Sequence, residues 1–386
     1  MRSSGIPLQQ APARVDNSPM LPVNPGTNAP PVRVLVVDDS AVMRRAISSI
    51  LGADASLTVV DTARDGHDAL EKIAKLQPDV VTLDIEMPVM DGIAVLTRLK
   101  SLPPPRPAVL VCSTLTAQGS QMALKAMALG AVDFIEKNPD ALGSGDVQAR
   151  KDLVQKVRAV APRIRASALR ATPASRPPAD FSLAGKSFDA VVIGSSTGGP
   201  PVLEAICPAF PASFPAPVVI AQHMPALFTR SMSERLAGIC KLKVVHAEQG
   251  CTLAPGSLYI TVGGRHSRVL RQPGTARLLL EVSDEPKTAL YKPSVNELFH
   301  SAAALRERAL GIMLTGMGDD GSLGAKAMHS SGATILAQSG ETCAVYGMPR
   351  AVVAAQAATA SLSPEDIARA IASIGTPRMA GISHAA

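Results

Sequence analysis

The stretch from Asp189 to Pro200, DAVVIGSSTGGP, leads from an apolar run into a glycine-rich turn with two serines. A dinucleotide-binding turn requires G-x-G-x-x-G, but Ser196 stands at the middle glycine, where a side chain blocks the approach of a pyrophosphate. The pattern G-x-S-x-G fits completely, and its small residues allow the strand-to-helix turn that exposes a nucleophilic serine. We therefore predict Ser196 as a nucleophile, with neighbouring Ser195 as the alternative, and disfavour a nucleotide-binding module.

A nucleophilic serine needs a general base, and the chain has seven histidines. His223 ends the strongly apolar stretch APVVIAQH, which places it at the same sheet edge as the serine. His246 also follows a predicted strand and is the second candidate. His300 and His329 lie on predicted helices, where surface or packing roles are expected. The sequence therefore favours His223 as the base.

The stretch LTGMGDDGSLG brings two carboxylates, Asp319 and Asp320, to the end of a third predicted strand. An aspartate at this place would fix the tautomer of the histidine and stabilise the imidazolium. One of the two could instead cap the following helix. The chain order serine, histidine, aspartate differs from the usual α/β-hydrolase order, which indicates a separate hydrolase family.

A second group of polar residues lies in the first third of the chain, again at predicted strand ends. Asp38 and Asp39 end the first strand, Asp84 the third, Ser113 the fourth and Lys137 the fifth. A single aspartate here would be a turn residue or a helix cap, but three carboxylates at one sheet edge favour a cation. Mg²⁺ suits such hard oxygen ligands. With Mg²⁺ and the lysine ammonium beside it, a carboxylate can attack phosphorus, and Ser113 can hydrogen-bond the phosphoryl group.

These residues require two sets of alternating strands and helices, and both are evident. Residues 33 to about 140 contain five strands: RVLVVDD, LTVVDTA, DVVTLDI, PAVLVCST and VDFIEKNP. Residues 188 to about 374 contain seven: FDAVVIGS, APVVIAQH, KVVHA, SLYIT, ARLLLEVS, ALGIMLTG and ATILAQ. Continuous aliphatic strands between helices predict parallel sheets covered on both faces. The predicted fold class is α/β, with two doubly wound parallel-sheet domains, the first flavodoxin-like and the second Rossmann-like.

Composition limits the other possibilities. Hydrophobic residues form 46% of the 386-residue chain and aromatics only 3%, so the core must be aliphatic. The net charge of +6 resides entirely between residues 150 and 180, and no aromatic residue interleaves the basic ones. We interpret this segment as a solvated linker and expect no nucleic-acid partner. The five scattered cysteines suggest neither zinc nor a disulfide framework and fit a cytoplasmic protein.

Residues 32 to about 145 resemble a response-regulator receiver domain. The matching motifs are VVDDS at Asp38 and Asp39, LDIEMPVMDG at Asp84 and DFIEK at Lys137. The resemblance implies that a histidine kinase supplies the phosphoryl group that Asp84 accepts. Where the family usually has Lys-Pro, this chain has Lys137-Asn138-Pro139, which affects the expected shape of the loop after the lysine.

Residues 188 to about 374 resemble the catalytic domain of the chemotaxis protein-glutamate methylesterases. The matching stretches are IGSSTGGP, QHMPALFTRSMSERL, KPSVNELFHSAA, LTGMGDDGSLGAKAM and CAVYGMPRAVV. The resemblance implies Ser196 as nucleophile, His223 as base and Asp320 as orienting acid, with Asp319 the weaker candidate. Asn296 stands where relatives usually carry aspartate, so a carboxylate there is not needed for this chemistry.

The resemblance implies hydrolysis of glutamate methyl esters on the cytoplasmic helices of chemoreceptors, with release of methanol, and deamidation of receptor glutamine. Backbone N–H groups in the turns at Thr197, Met317 and Gly318 are candidate oxyanion donors. No organic cofactor is required. The alternative is a receiver joined to a DNA-binding regulator, but the second half is too long for a winged helix and shows no recognition-helix pattern.

The predicted division of the chain is a disordered extension at 1–31, a receiver domain at 32–150, a basic Pro/Ala-rich linker at 151–187, a methylesterase domain at 188–376 and a tail at 377–386. We find no signal peptide and no apolar run of about 18 residues, so we expect no insertion into a membrane. We expect a monomer.

Overall fold

The computed structural model describes residues 30–137, 146–161 and 181–375. The first domain is a five-stranded parallel sheet with the strand order β2-β1-β3-β4-β5. Its strands are β1 (Val32–Val37), β2 (Leu57–Ala63), β3 (Val80–Asp84), β4 (Ala108–Ser113) and β5 (Asp133–Glu136). Its helices are α1 (Ala41–Gly52), α2 (Gly66–Leu76), α3 (Gly92–Ser101) and α4 (Ala117–Ala128).

The central strands β3 and β4 are buried along their whole length, as continuous aliphatic runs covered on both faces should be. Polar side chains cap the helices that follow the strands. Ser40 accepts a hydrogen bond from the N–H of Met43 at the start of α1, and Asp91 accepts one from Ala94 at the start of α3. The predicted flavodoxin-like strand order is present.

Helix α5 (Val147–Val160) follows the first sheet and is capped by Asp146. Its buried residues Leu153, Val157 and Val160 join the hydrophobic cluster that contains Val34 and Val36 of β1. The predicted linker boundary at 151 therefore falls within this helix. Its basic residues are not all solvated, since Lys156 donates to the Phe134 carbonyl and pairs with Asp133. Residues 162–180 lie outside the described part of the chain, as do 1–29, 138–145 and 376–386.

The second domain has a seven-stranded parallel sheet with the order β15-β14-β13-β6-β7-β10-β8. Its strands are β6 (Ala190–Ser195), β7 (Val218–Gln222), β8 (Lys243–His246), β10 (Ser257–Ile260), β13 (Ala309–Met313), β14 (Thr334–Gln338) and β15 (Ala360–Leu362). Its helices are α6 (Gly199–Ile206), α7 (Ala226–Ala237), α8 (Val295–Ala302), α9 (Ser322–Ser330), α10 (Met348–Ala354) and α11 (Pro364–Ala372), with short 3₁₀ turns at Cys207–Ala209 and Ala303–Arg308.

A small antiparallel sheet, which we did not predict, accompanies the large one. It has the order β11-β12-β9 and comprises β9 (Thr252–Leu253), β11 (His266–Arg271) and β12 (Leu278–Ser283). The sequence pattern predicts ARLLLEVS as a strand of the parallel sheet, and this prediction is wrong, since β12 pairs antiparallel with β11. In β12 buried and half-buried residues alternate, as expected for an antiparallel strand with one packed face.

The two domains contact each other through α4, which packs against α6 and α7. The rings of Phe134 in β5 and Phe228 in α7 stack with their centroids 3.9 Å apart. The Lys156 ammonium lies 4.9 Å from the centroid of the Phe134 ring. The first domain therefore touches the helices that follow the two predicted catalytic strand ends. Among the described residues, no helix is long and apolar enough to cross a membrane.

Candidate active site

Strand register brings the predicted nucleophile and base together. In the parallel pair β6 and β7, Ser195 is the register partner of Gln222. Ser196 and His223 are the next residues on each strand, so they leave the sheet side by side. Strand β13 lies on the other side of β6 and leads into the turn that carries Asp320. The three predicted catalytic residues thus come from three adjacent strands.

The turn at Ser196 is fixed by backbone hydrogen bonds. The Ser196 N–H donates to the Thr315 carbonyl over 3.0 Å, and the Ser196 carbonyl accepts from Gln222 Nε2 over 2.9 Å. Gly198 has a φ of +77°, and a Cβ there would lie 2.2 Å from the Ala344 Cβ. Only glycine suits this position, both for its backbone angle and for the space available.

Ser195, the alternative nucleophile, is placed differently. Its side chain is fully buried, and its hydroxyl donates to Gln222 Oε1 over 2.5 Å. Ser196 retains 9% of its surface exposed at the end of the strand. Of the two hydroxyls, only that of Ser196 is placed to meet a substrate.

His223 and Asp320 form a hydrogen-bonded pair. His223 Nε2 lies 2.8 Å from Asp320 Oδ2, and both side chains are largely buried. The other ring nitrogen, Nδ1, is buried and has no hydrogen-bond partner within the described part of the chain. Because Nε2 is bonded to the carboxylate, Nδ1 is the ring nitrogen left free to accept a proton.

Asp320 has a complete set of donors. Besides His223, it accepts hydrogen bonds from the Ser294 hydroxyl (3.0 Å), the Val295 N–H (2.7 Å) and the Asn296 N–H (3.0 Å). Burial alone would raise the pKa of Asp320, but the bond and charge of His223 and the two backbone N–H groups outweigh it and hold the pKa below its usual value. The carboxylate is therefore ionised and oriented in the folded protein.

The weaker candidates from the sequence take no part in the His223–Asp320 pair. Asp319 is exposed, and its carbonyl accepts from the N–H of Ser322 at the start of α9. His246 forms a 3.0 Å hydrogen bond with Thr229 Oγ1, and burial lowers its pKa. His300 and His329 are exposed on α8 and α9, as their helical positions suggested.

The predicted oxyanion donors lie around the same turns. Gly318 has a φ of +81°, and Met317 is half-buried beside it. The Thr197 hydroxyl donates to Asp133 Oδ2 of the receiver over 2.6 Å, and its carbonyl accepts from Thr315 Oγ1 over 3.0 Å. The residue after the predicted nucleophile is therefore bonded to the other domain.

Sequence analysis missed two residues at this site. The Tyr291 ring stacks on the His223 imidazole, with centroids 4.4 Å apart and planes 11° from parallel. Ser294 both caps α8 and donates to Asp320. The residues Ser294 to Glu297 match the sequence of a capping box, although only the Ser294 hydroxyl caps the helix and Glu297 pairs with Arg268. Nothing in this pattern indicates the distant carboxylate. Asn296, which stands where relatives usually carry aspartate, has a structural contact: its side-chain oxygen accepts a hydrogen bond from the N–H of Gly324.

The predicted phosphorylation site is a cluster of carboxylates around a lysine. Asp38, Asp39 and Asp84 offer oxygen atoms that all lie within 4.8 Å of one another. Lys137 Nζ lies 2.5 Å from Asp84 and 3.0 Å from Asp38. Desolvation, with the charge of Asp38 added to it, raises the pKa of Asp84 to about 6 although Lys137 opposes the shift. The hydroxyl of Ser113 donates to the Gly119 carbonyl over 2.8 Å and is not bonded to this cluster.

This cluster has the properties of a divalent cation site. Asp38 is fully buried, and its Oδ2 lies 3.0 Å from the Lys137 ammonium that also contacts Asp84. One lysine charge does not offset three carboxylates. A hard divalent cation would neutralise the remaining negative charge, so the three carboxylates fit the metal that a receiver domain uses.

Fold and site together define a two-domain α/β protein, with a carboxylate–lysine cluster in the first domain and a Ser-His-Asp group of the hydrolase type in the second. Residues 34–142 match the family model of the response regulator receiver domain, and residues 191–371 match that of the CheB methylesterase. The chain belongs to the CheB methylesterase family, as its similarity to curated relatives along nearly their whole length shows.

A relative named protein-glutamate methylesterase/protein-glutamine glutaminase 1, from Oleidesulfovibrio alaskensis, is 48% identical over 368 residues, covering 88% of this chain and 98% of the relative. One from Nitratidesulfovibrio vulgaris, with the same name numbered 2, is 44% identical and covers the same shares. The solved catalytic domain of Thermotoga maritima CheB methylesterase is 37% identical over 47% of this chain and 98% of that chain, with a TM-score of 0.45. The family models and the curated relatives give no support to the DNA-binding alternative.

Proposed function

We propose that this protein hydrolyses glutamate methyl esters on the cytoplasmic helices of chemoreceptors, and deamidates receptor glutamine, under the control of its receiver domain. The observation that carries the proposal is the convergence of Ser196, His223 and Asp320 from three adjacent strand ends. The names of the curated relatives supply the substrate, a glutamate side chain in a protein. The pathway is chemosensory adaptation.

In the proposed reaction, the Ser196 hydroxyl attacks the ester carbonyl carbon and His223 Nδ1 takes its proton. The negative charge develops on the carbonyl oxygen, which donors around the turn stabilise. The N–H of Ser196 is already bonded to Thr315, so the candidates are the N–H groups of Thr197, Met317 and Gly318. The tetrahedral intermediate expels methanol, which receives the proton from the imidazolium.

Water then attacks the acyl-enzyme, again with His223 as base, and glutamate and the free serine are released. Asp320 remains ionised throughout and stabilises the imidazolium at Nε2. Deamidation follows the same steps with ammonia as the leaving group. The chain's own residues supply every proton transfer, so an organic cofactor has no step to perform.

The receiver cluster is proposed to accept a phosphoryl group on Asp84 from a histidine kinase. The carboxylates of Asp38, Asp39 and Asp84 would hold Mg²⁺, and Lys137 lies against the accepting carboxylate. Bound there, the cation would share with Lys137 the charge of the transferring oxygens. Ser113 must leave the Gly119 carbonyl if its hydroxyl is to reach the phosphoryl group.

Control of the esterase is proposed to act through docking. The unphosphorylated receiver would cover the approach to Ser196, since α4 packs on the helices after Ser196 and His223. The Thr197–Asp133 hydrogen bond and the Phe134–Phe228 stack fasten the same interface. Phosphorylation of Asp84 would weaken this docked state. A bias of about 1.4 kcal/mol changes the open-to-closed ratio only tenfold, so activation should be graded.

The expected partners are methyl-accepting chemoreceptors and a cognate histidine kinase, met in the cytoplasm by a monomer that neither inserts into a membrane nor binds nucleic acid. The test is mass spectrometry of methylated chemoreceptor cytoplasmic fragments incubated with the full-length protein, with and without a small phosphodonor. Wild type should remove methyl groups from glutamate, faster after the phosphodonor, and Ser196→Ala should not. Unchanged methylation with a phosphorylated wild-type protein would refute the proposal.

A further inference from the structure

The candidate catalytic histidine is covered on one face by an aromatic ring. Tyr291 lies parallel to His223, at 4.4 Å between ring centroids and 11° between planes. The chain contains only three tyrosines and no tryptophan, so aromatic contacts are scarce in it. This one falls on the residue that must exchange a proton with the nucleophile.

Two contacts are needed to fix an imidazole ring. The hydrogen bond from Nε2 to Asp320 lies in the ring plane and fixes one edge. It leaves the ring able to swing about that bond, because Nδ1 has no partner within the described residues. A parallel ring against one face restricts this swing. Stacking of this geometry is favourable beyond the burial of area alone.

The segment that carries Tyr291 also holds Asp320. The Ser294 hydroxyl and the Val295 and Asn296 N–H groups, three to five residues further along, donate to its carboxylate. The carbonyl of Lys292 accepts from the Gly264 N–H, which anchors the segment between these contacts. One short segment thus positions both the histidine and its carboxylate partner.

The tyrosine also reaches the turn from which Asp320 emerges. A Cβ built on Gly318 would lie 3.6 Å from the Tyr291 hydroxyl oxygen. Burial and the nearby anionic Asp152, Asp320 and Asp319 raise the pKa of Tyr291, so the phenol stays protonated at neutral pH. Its contribution to the histidine is therefore made through the ring and not through proton exchange.

We propose that Tyr291 is a positioning residue for acyl transfer, whose ring holds the His223 imidazole with Nδ1 directed toward Ser196. The inference rests on the proposed function, since it assigns His223 the role of base. It predicts that the ring matters and the hydroxyl does not. It also predicts an effect on the chemical step, with little change in substrate binding.

The test compares Tyr291→Phe, Tyr291→Leu and Tyr291→Ala in the full-length chain, with kcat and KM for a small activated ester measured at saturating phosphodonor. The Phe variant should keep kcat within about twofold. The Leu and Ala variants should lose about 3- to 10-fold in kcat, with KM changed less than about twofold. Leu290→Ala is the matched control, because Leu290 is the preceding residue and is 72% exposed; its kcat should be unchanged.

The outcomes separate this inference from the proposed function. If Ser196→Ala is inactive but Tyr291→Leu retains full kcat, the positioning role is wrong and the proposed function stands. If Ser196→Ala retains the esterase activity, the proposed function itself fails. Equal losses in the Phe and Leu variants would also overturn the role of the ring. A fall only in the stimulation by phosphodonor, at unchanged stimulated kcat, would assign Tyr291 to domain docking instead.

Thermal unfolding of each variant excludes a general loss of structure. The Leu variant preserves most of the buried volume, so its midpoint should stay near that of the Phe variant. A kcat loss in Leu that Phe does not share, at similar midpoints, is the result expected of a positioning residue. A kcat loss that follows the unfolding midpoint across all three variants would contradict it.

Discussion

The two domains place aspartates at the same edge of similar parallel sheets. The two sites differ in how many hydrogen-bond donors and positive charges surround each carboxylate. Asp320 accepts hydrogen bonds from an imidazole, a hydroxyl and two backbone N–H groups, and its pKa lies below the usual value. Asp84 shares one lysine with Asp38, and its pKa is raised to about 6. The carboxylate of Asp320 is fully supplied with donors from its own domain, whereas the three carboxylates around Asp84 carry more negative charge than Lys137 neutralises.

This difference indicates which part of the molecule responds to ligands. A carboxylate whose donors are all present has one stable arrangement, so the histidine pair can be preorganised for catalysis. A cluster with unbalanced charge changes its energy strongly when a cation or phosphoryl group arrives. The receiver is thus suited to sensing and the second domain to chemistry.

Strand β5 connects the two sites. Lys137, just after its carboxyl end, contacts Asp84, while Asp133 and Phe134 at its start contact Thr197 and Phe228 of the other domain. Lys137 lies three to four residues after Phe134 and Asp133, so the two contacts are separated by about 10 to 13 Å on general strand geometry. A shift of β5 would reach both sites.

The largest expected effect tests the assignment of the nucleophile. Ser196→Ala should lower the esterase rate by up to about 10⁶-fold, because members of a catalytic unit fail together. Methanol release measures it, and the unfolding midpoint should hardly change. Activity near that of wild type would transfer the role to another residue, although buried Ser195, bonded to Gln222, offers a poor substitute.

The next effect tests whether the esterase site needs its carboxylate. Asp320→Asn keeps the shape but loses the charge, and should lower kcat by about 10⁴-fold. In a Ser196→Ala background it should cost little more. Asp319→Asn is the matched control and should change kcat far less, since Asp319 is exposed. If the two single variants exchange effects, the orienting role belongs to Asp319.

The receiver site, unlike the site around Asp320, should depend on a bound cation, and its Mg²⁺ affinity should change with pH. Protons and Mg²⁺ compete for Asp84, whose pKa of about 6 means that its carboxyl is protonated below that pH. The apparent Mg²⁺ affinity, measured by calorimetry, should therefore be constant above about pH 7 and fall by up to about tenfold per pH unit below pH 6. An affinity independent of pH between 5 and 7 would contradict the raised pKa.

The smallest effect concerns the contact between the domains. Phe228→Ala removes the stack on Phe134 and should raise the unphosphorylated esterase rate about 2- to 10-fold, which reduces the stimulation by phosphodonor. Ile239→Ala serves as control, because Ile239 lies just beyond α7 and is 44% exposed. A lower basal rate in a folded Phe228→Ala protein would mean that docking activates the esterase.

Much of the fold and of the two candidate sites could be predicted from the sequence, because the ends of aliphatic strands can be recognised there. Ser196, His223 and Asp84 each close an aliphatic run, and parallel sheets bring such ends to one edge. Tyr291 and Ser294 could not be found in this way, since they lie in a loop and contact residues far along the chain. The antiparallel sheet could not be predicted in this way either, because one of its three strands, β9, has only two residues.

Helix α5 shows another limit. Its basic composition favours a solvated linker from residue 151, but Leu153, Val157 and Val160 pack on the core of the receiver, so the first part of that linker belongs to the domain. The bond from Thr197 to Asp133 likewise joins two residues whose sequence contexts say nothing of each other. Contacts between domains depend on shape, which local patterns do not contain.

The central claim is that a preorganised serine site is held back by the receiver. The most direct measurement is the rate at which a serine-reactive fluorophosphonate labels the full-length protein, with the labelled residue identified by peptide mass spectrometry. Label should appear on Ser196, about tenfold faster after treatment with a small phosphodonor. Asp84→Asn should label at the slow rate under both conditions, and Ser196→Ala should not label. Label on another residue, or a rate that falls on phosphorylation, would contradict the account.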